Sequence, residues 1–326
     1  MIIKNCKRPL KIDMLEALMR RLPPGHAKQP AIIEDIKKIK AGYNGENRVF
    51  QSLKSLPEKE YLLFHDLRLI GSSFPFQMDI LILTSSFLLI LEVKNMAGEI
   101  FFDNAFNQLI RTNPDGKTEA FDDPLLQVSR QRQHLLDWLK TRRTNNLPVE
   151  TLVVSANSST GNTDINRKVI RKDRILLKIE ELKNKYNEAV LSTRSVKRLS
   201  NLLLDGHIPY IHKPLENYRI PITALQTGVF CDKCHAFTME RKSRKWVCRT
   251  CLDISLDGHI SALYDYLYLV KPTITNREFR NFLQLQSPSS AKKLLLSLNL
   301  NHSGHTRGRF YLLNSLLEGE VGFLRR

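Results

Sequence analysis

The stretch FQMDILILTSSFLLILEVKNMAG, residues 76–98, decides how the chain is read. Two runs rich in Ile, Leu and Phe, 76–83 and 87–94, each have the length of a strand and are joined at Thr84, Ser85 and Ser86, which predicts a β-hairpin. With the turn centred between Ser85 and Ser86, Asp79 faces Glu92, Gln77 faces Lys94, and all four share one face. Leu81, Leu83, Leu88 and Ile90 continue that face, while Met78, Ile80, Ile82, Leu89, Leu91 and Val93 fill the other. A hairpin apolar on both faces belongs inside a sheet covered on both sides, with its polar residues at the open end. Directly opposed residues have Cβ atoms about 5 Å apart, so two carboxylates placed there can hold one divalent cation between them. A plainer reading is an ion pair of Asp79 or Glu92 with Lys94 that pins a strand end.

The charge balance points to a polyanion. Fifty Lys and Arg stand against 33 Asp and Glu, a formal charge of +17, and such a surplus gains affinity for nucleic acid by releasing counterions from phosphates. No signal peptide is visible, and the longest apolar run is broken by Asp79, residues 84–86 and Glu92, so no membrane span is expected. Four of the five cysteines form two CxxC pairs, which suits a metal site in a reducing, cytoplasmic compartment better than a disulfide scaffold.

Around the hairpin, residues 1–37 read as an N-terminal extension with a short strand, a short helix and a break at Pro23-Pro24-Gly25. From Pro30 a helix through Ile33, Ile36 and Ile39 meets Gly42 and Gly45, and a second helix continues to Leu56. Each glycine weakens a continuous helix by about 1 kcal/mol, which predicts a joint or a close approach there. Glu46 shares an inward stripe with Val49, Phe50 and Leu53, where an acid asks for a cation; as a first-turn residue it would instead complement the helix dipole. Residues 61–69 read as a strand, and 100–102 with 108–112 as a second hairpin around Asn104. Asp123 and Pro124 open a long helix to about residue 143. Its core face is Leu125, Val128, Leu135 and Leu139, beside a polar strip of Gln127, Gln131 and His134. Residues 148–155 form one more strand.

Asp79, a turn, then Glu92-Val93-Lys94 resembles the PD-(D/E)xK nuclease superfamily. Gln77-Met78-Asp79 with Glu92-Val93-Lys94-Asn95 and the nearby Gly98 resembles its nuclease-related domain (NERD) branch, in which Met78 takes the place of the superfamily's proline. Gly42-Tyr43-Asn44-Gly45-Glu46 is similar to that family's GxxGE opening, and Asp123-Pro124-Leu125-Leu126-Gln127 to its Pro-x-x-Gln segment, although Gln127 also reads as a solvated amide. The resemblance implies an α/β, mixed-sheet PD-(D/E)xK nuclease-like core over residues 38–156, in the order helix, three strands, helix, strand. It implies Mg2+-dependent (or Mn2+-dependent) hydrolysis of phosphodiester bonds in DNA. Asp79, Glu92 and the Val93 carbonyl would hold the ion, Lys94 would orient the attacking water, and Glu46, Gln77 and Gln127 would complete the site. The competing readings are a catalytically silent DNA-binding scaffold and an RNA-processing factor.

Beyond the core, residues 157–226 form a helical region with a basic run at 167–174 and amphipathic helices near 175–186 and 193–204. Residues 227–257 hold Cys231-x2-Cys234, thirteen residues, then Cys248-x2-Cys251. Four thiolates in two close pairs suit a closed, structural Zn2+ ribbon, where a redox pair would leave two cysteines unexplained. Arg241, Lys242, Arg244, Lys245, Trp246 and Arg249 make nucleic-acid contact plausible there. In 258–326 a helix at 261–270 precedes a helix-turn-helix-like outline. Thr275 to Glu278 form a capping box, Ser287-Pro288 opens a second helix, and 304–311 is a small basic hairpin. A plain helical bundle packed on the zinc module is the alternative.

Overall fold

A computed structural model describes residues 1–72, 74–96, 98–103, 106, 108–113, 115–144, 147–157, 168–305 and 308–318. The expected turn at Asn104, the stretch 158–163 with Arg167, and residues 306–307 of the basic hairpin lie outside these. The chain divides into two compact units, Met1–Arg8 with Lys38–Ile211, and Pro9–Lys37 with His212–Arg326.

In chain order the first elements are β1 (Ile2–Lys4), α1 (Leu10–Arg21), α2 (Gln29–Leu53), β2 (Leu62–Ile70), β3 (Pro75–Leu83) and β4 (Leu88–Lys94). They are followed by β5 (Glu99–Asp103), β6 (Gln108–Thr112), β7 (Thr118–Asp122), α3 (Pro124–Thr141), β8 (Val149–Ser155), β9 (Val169–Arg171), α4 (Ile175–Lys185) and α5 (Thr193–Asp205). The first unit is built on a six-stranded sheet in the order β1-β2-β3-β4-β8-β9. The pairs β2·β3 and β3·β4 are antiparallel, and β1·β2, β4·β8 and β8·β9 are parallel. One face packs Leu63, Ile80, Ile82, Leu89, Leu91 and Val154 against Val49, Phe50 and Leu53 of α2 and Ile175 and Ile179 of α4. The other packs Phe64, Leu81, Leu83, Leu88 and Ile90 against Leu135, Trp138 and Leu139 of α3 and Leu199 and Leu203 of α5. The central hairpin is thus apolar on both sides, as its composition predicts, and its register runs from Leu83↔Leu88 to Ile80↔Leu91, about the expected turn. Asp123 caps α3 by accepting from Leu125 N–H at 2.8 Å, with Pro124 at the first position. Between β4 and α3 the second hairpin gains a third strand, so that β5, β6 and β7 form their own antiparallel sheet.

The alternation of faces has one interruption. On β3, Phe76 and Met78 lie on the α3 side together with Leu81 and Leu83, and on β2 Leu67 and Leu69 do so together with Phe64. Both strands change phase at one level, where Asp66 and Asp79 oppose each other between the pairs His65↔Ile80 and Leu67↔Met78. Asp66 there has φ +53°, a left-handed conformation that Asp tolerates. Lys4 supports the kink by donating from Nζ to the carbonyls of His65 (2.8 Å) and Asp66 (2.7 Å). The expectation that Met78 lies opposite the acids, and that Gln77 shares a face with Glu92 and Lys94, is therefore corrected: the phase change turns Met78 toward α3 and Gln77 away from it.

The expected joint in the first helix is also absent. The helix α2 runs unbroken through Gly42 and Gly45, and the second glycine serves close approach: a Cβ on Gly45 would lie 2.5 Å from Asn95 Cβ and 3.3 Å from Ala156 Cβ. Glu46 therefore sits deep inside a helix and not in its first turn, so the dipole reading of this residue falls.

The second unit contains α1 and continues with α6 (Pro214–Tyr218), β10 (Val229–Cys231), β11 (Ala236–Lys242), β12 (Lys245–Cys248), β13 (Ile254–Ser255) and α7 (Gly258–Leu269). It ends with β14 (Thr273–Thr275), α8 (Asn276–Leu283), α9 (Pro288–Ser297), β15 (His302–Ser303), β16 (Phe310–Leu312) and α10 (Ser315–Glu318). Strands β10-β11-β12-β13 form a meander, and β14-β16-β15 a small sheet beside α8 and α9. The capping box predicted at Thr275 and Glu278 is present. Residues 9–37 enter this unit through a buried ion pair, in which Arg21 Nε donates to Asp265 Oδ2 at 2.7 Å. Its guanidinium lies 4.4 Å from the ring centres of both Phe237 and Phe282.

A Gly45→Ala substitution should cost about 1–3 kcal/mol through overpacking against Asn95, read as a lower denaturant midpoint, whereas Gly25→Ala, whose Cβ meets nothing within 4 Å, should lose only what its φ of +78° imposes.

Candidate functional site

At the open end of the β3–β4 hairpin the ladder stops at Ile80↔Leu91. Beyond it the Asp79 carboxylate replaces the missing backbone acceptor, and Val93 N–H donates to Asp79 Oδ2 at 2.8 Å. Glu92 is 3% exposed and points to α3. Its Oε1 accepts from Lys94 Nζ at 2.8 Å and its Oε2 from Gln131 Nε2 at 2.8 Å. Lys94 Nζ also donates to Gln127 Oε1 at 2.9 Å. The ion pair of the plainer sequence reading thus exists, within a larger network. The spacing of Gln127 and Gln131 explains their joint action, because residues four apart on a helix share a face.

Glu46 reaches the same region from α2, where its Oε2 lies 2.9 Å from His65 Nε2. Asp79 feels all of these groups. Burial pushes its carboxyl well above the usual range, the charges of Glu92 and then Glu46 push it further, and the Val93 hydrogen bond and Lys94 only partly oppose them. Asn95 braces the end of β4 by donating from Nδ2 to Ala41 O at 2.6 Å and accepting from Arg48.

Of the residues singled out in the sequence, Glu92, Lys94 and Gln127 are joined by this network, Asp79 adjoins it through the Val93 N–H, and the charge of Glu46 acts on Asp79. Val93 enters by its N–H. Gln77 does not join: its amide donates to Asp66 Oδ1 at 2.6 Å. His134 of the polar strip stacks on Phe76 at 5.4 Å instead of facing solvent. Sequence reasoning left Gln131 without a role, although its place one turn beyond Gln127 was the signal. It also passed over His65, a lone histidine in an apolar strand.

The donor set suits a hard divalent cation. Asp79 and Glu92 offer carboxylate oxygens at the open end of the hairpin, and Gln131 Oε1 is a buried acceptor with no partner that a bound water would satisfy, although among the described residues only the four cysteines are drawn together as a group of three or more metal-ligating side chains.

In the second unit Cys231, Cys234, Cys248 and Cys251 form one group whose sulfurs all lie within 4.8 Å of one another. The pairs Cys231–Cys251 and Cys234–Cys248 are each 3.7 Å apart. A tetrahedron with metal–sulfur bonds of about 2.3 Å has edges of about 3.8 Å, so the cage fits a thiolate-bound metal. Each CxxC turn is followed by a residue of positive φ, His235 (+52°) and Leu252 (+60°). The hydrogen bond from Thr238, then the amide of Cys251, draw the Cys248 thiol down to about 5. Cys6 is no part of the group; burial, then the Glu46 charge, push its thiol up to about 11.

The acid–lysine network thus stands at the open end of the central hairpin of an α/β sandwich. The family model described as nuclease-related domain, NERD, matches residues 41–156, a span that contains Glu46, Asp79, Glu92, Lys94, Gln127 and Gln131. That stretch, about a third of the chain, is similar to nuclease-related domains. No curated protein and no solved structure matches the chain. Among the described residues no helix is long and apolar enough to cross a membrane.

Because Asp79 has a raised folded-state value, its carboxyl contributes stability below the ordinary carboxylate range and loses it as pH rises through that raised value. Asp79→Asn keeps an acceptor for Val93 N–H and removes the charge. The metal-free variant should therefore outlast the metal-free parent in thermal unfolding at pH 7, with the gap closing as pH falls toward about 4.

Proposed function

We propose that this protein is a Mg2+- or Mn2+-dependent nuclease of the PD-(D/E)xK type that hydrolyses phosphodiester bonds in DNA. The observation that carries the reading is the network in which Asp79 takes the Val93 N–H while Glu92 and Gln127 together hold the Lys94 ammonium. Asp79, Glu92 and the Val93 carbonyl would hold the divalent ion, which supplies Lewis acidity toward the scissile phosphate. The remaining chemistry belongs to the chain. Lys94 stands two residues from Glu92 on the same face, so its ammonium can orient the attacking water and counter the charge that builds on the phosphate oxygens. Glu92 and Gln127 fix where that ammonium points, and Gln131 fixes Glu92 in turn. Hydrolysis replaces one P–O bond by another, so no redox partner is required.

Targeting is assigned to the second unit. The order α7, β14, α8, α9, β15, β16, with the sheet β14-β16-β15, supports a helix-turn-helix-like reading. No Asp or Glu occurs from Phe279 through Leu317, while Lys292 and Lys293 lie exposed on α9. A surface without acids and with free ammonium groups suits phosphate contact, and a helix presented beside a wing suits the major groove of DNA better than the narrow one of duplex RNA. The four-cysteine ribbon is assigned a structural Zn2+.

Two experiments check these assignments. With Mg2+ or Mn2+ and a DNA substrate, Asp79→Ala, Glu92→Ala and Lys94→Ala should each lower cleavage by about 100-fold or more while DNA affinity changes little. Parent protein that cuts no DNA with either metal would refute the nuclease reading. Elemental analysis should find one Zn per chain; its removal by a strong chelator should expose Trp246, now 1% exposed, and red-shift its fluorescence, because closed thiolate sites contribute folding energy directly.

A further inference from the structure

The tip of the β11–β12 hairpin carries two local costs. Its ladder ends with the rungs Arg241↔Trp246 and Lys242↔Lys245, which leaves Ser243 and Arg244 alone in the turn. Both are left-handed, with φ of +44° and +71°. A two-residue loop of this kind favours Asn and Gly, which enter that region readily, whereas serine and arginine are strained there. The second cost is electrostatic. Lys242 and Lys245 stand directly opposite each other, where like charges repel.

Little in the surrounding sequence relieves that charge. Between Asp232 and Asp253 the one acid is Glu240, which is divided between Lys242 at 3.6 Å and Arg249 at 3.4 Å. Arg244 and Lys245 are exposed, and among the described residues neither has an ion pair. The base of the hairpin holds the tip in this state. Trp246, on the rung below, is 1% exposed and donates from Nε1 to His259 Nδ1 at 3.3 Å, and Cys248, two residues on, belongs to the sulfur cage. Strain persists where the surroundings over-determine it, and it gathers at sites that bind. A bound anion would offset the repulsion. The two lysines, with Cβ atoms about 5 Å apart, lie on the strand face opposite buried Trp246, so their ammonium groups can converge from both sides on one group with several oxygens. A phosphate offers that shape and charge.

We propose that the tip of the β11–β12 hairpin is a seat for a backbone phosphate of DNA, held between Lys242 and Lys245, with Arg244 reaching a neighbouring phosphate. The proposal rests on the assignment of DNA targeting to the second unit and extends it from α9 to the ribbon, which thereby makes contact with DNA as well as holding its metal. Binding relieves at the tip what folding leaves unrelieved, so affinity for DNA and stability of the unbound hairpin oppose each other there.

The test is binding of a fluorescein-labelled DNA duplex to the full-length, zinc-loaded chain, followed by anisotropy over a range of salt and without added Mg2+ or Mn2+, so that the strands stay intact. Lys242→Gln and Lys245→Gln should each weaken binding about 3- to 10-fold at ~0.1 M salt and make the salt dependence shallower by about one unit of slope. Both should keep their zinc and unfold at no lower a temperature than the parent, because a like-charge pair has gone. Ser243→Asn combined with Arg244→Gly gives the turn its favoured residues; that variant should raise the thermal midpoint and still bind more weakly. Lys28→Gln, which removes the same charge from an exposed position of the same unit, should leave affinity within about twofold, since only phosphate contacts release counterions. Parent-like affinity and salt slope in Lys242→Gln and Lys245→Gln, or an equal loss in Lys28→Gln, would overturn the proposal. A parent that binds no DNA would instead remove the targeting assignment on which it rests.

Discussion

The N–H of Val93 is the point on which the first unit turns. Up to Ile80↔Leu91 the two strands of the hairpin satisfy each other's backbone, but a donor that continues into the covered end of the sheet needs an acceptor of its own. Asp79 supplies it with a carboxylate. One hydrogen bond thereby closes the ladder and fixes an acid at the strand end, beside Glu92 on the neighbouring strand. The bond offsets only part of the cost of burial, since the Asp79 carboxyl remains well above its usual range. What stabilises the sheet and what makes the site electrostatically tense are the same group.

Much of this was legible in residues 76–98. Two apolar runs of strand length and a short polar turn sufficed for the hairpin and its register, which runs only as far as Ile80↔Leu91. The cap and proline at Asp123 and Pro124 sufficed for α3, and the cysteine spacing for the cage of four sulfurs. Gln77 was misplaced because strict alternation carries no sign of the paired kink at Asp66 and Asp79, a tertiary feature held by Lys4 from a strand distant in sequence. Gly42 and Gly45 left a joint and a close approach both open because helix propensity is local, whereas what decides for close approach at Gly45 is Asn95, far along the chain. The third strand β7 escaped notice because its sequence, TEAFD, is polar at the ends and short.

The second unit follows a different economy. Its four sulfurs lie within 4.8 Å of one another, and Val229, Met239 and Trp246 beside them share one apolar core with Leu263, Phe279 and Leu295. Its other anchor is Arg21, fully buried, paired with Asp265 and flanked by two aromatic rings. Burial lowers the readiness of that guanidinium to stay charged, and Asp265 offsets only part of this. Removing one partner of such a pair typically costs about 3–5 kcal/mol, because the other is left charged and dry. Residues 9–37, unremarkable in the sequence, are therefore held by one of the most demanding contacts in the molecule.

That anchor has a consequence for how the polypeptide is made. The helix bearing Arg21 leaves the ribosome early, but Asp265, Phe237 and Phe282 follow only after all of Lys38–Ile211 has been synthesised. Until then the helix is an amphipathic segment whose arginine has no acid to pair with, and the second unit is completed only when that later stretch arrives. Vectorial synthesis thus allows the acid–lysine network to form before the sulfur cage. In the interval the waiting helix is the segment most exposed to a chaperone or a protease.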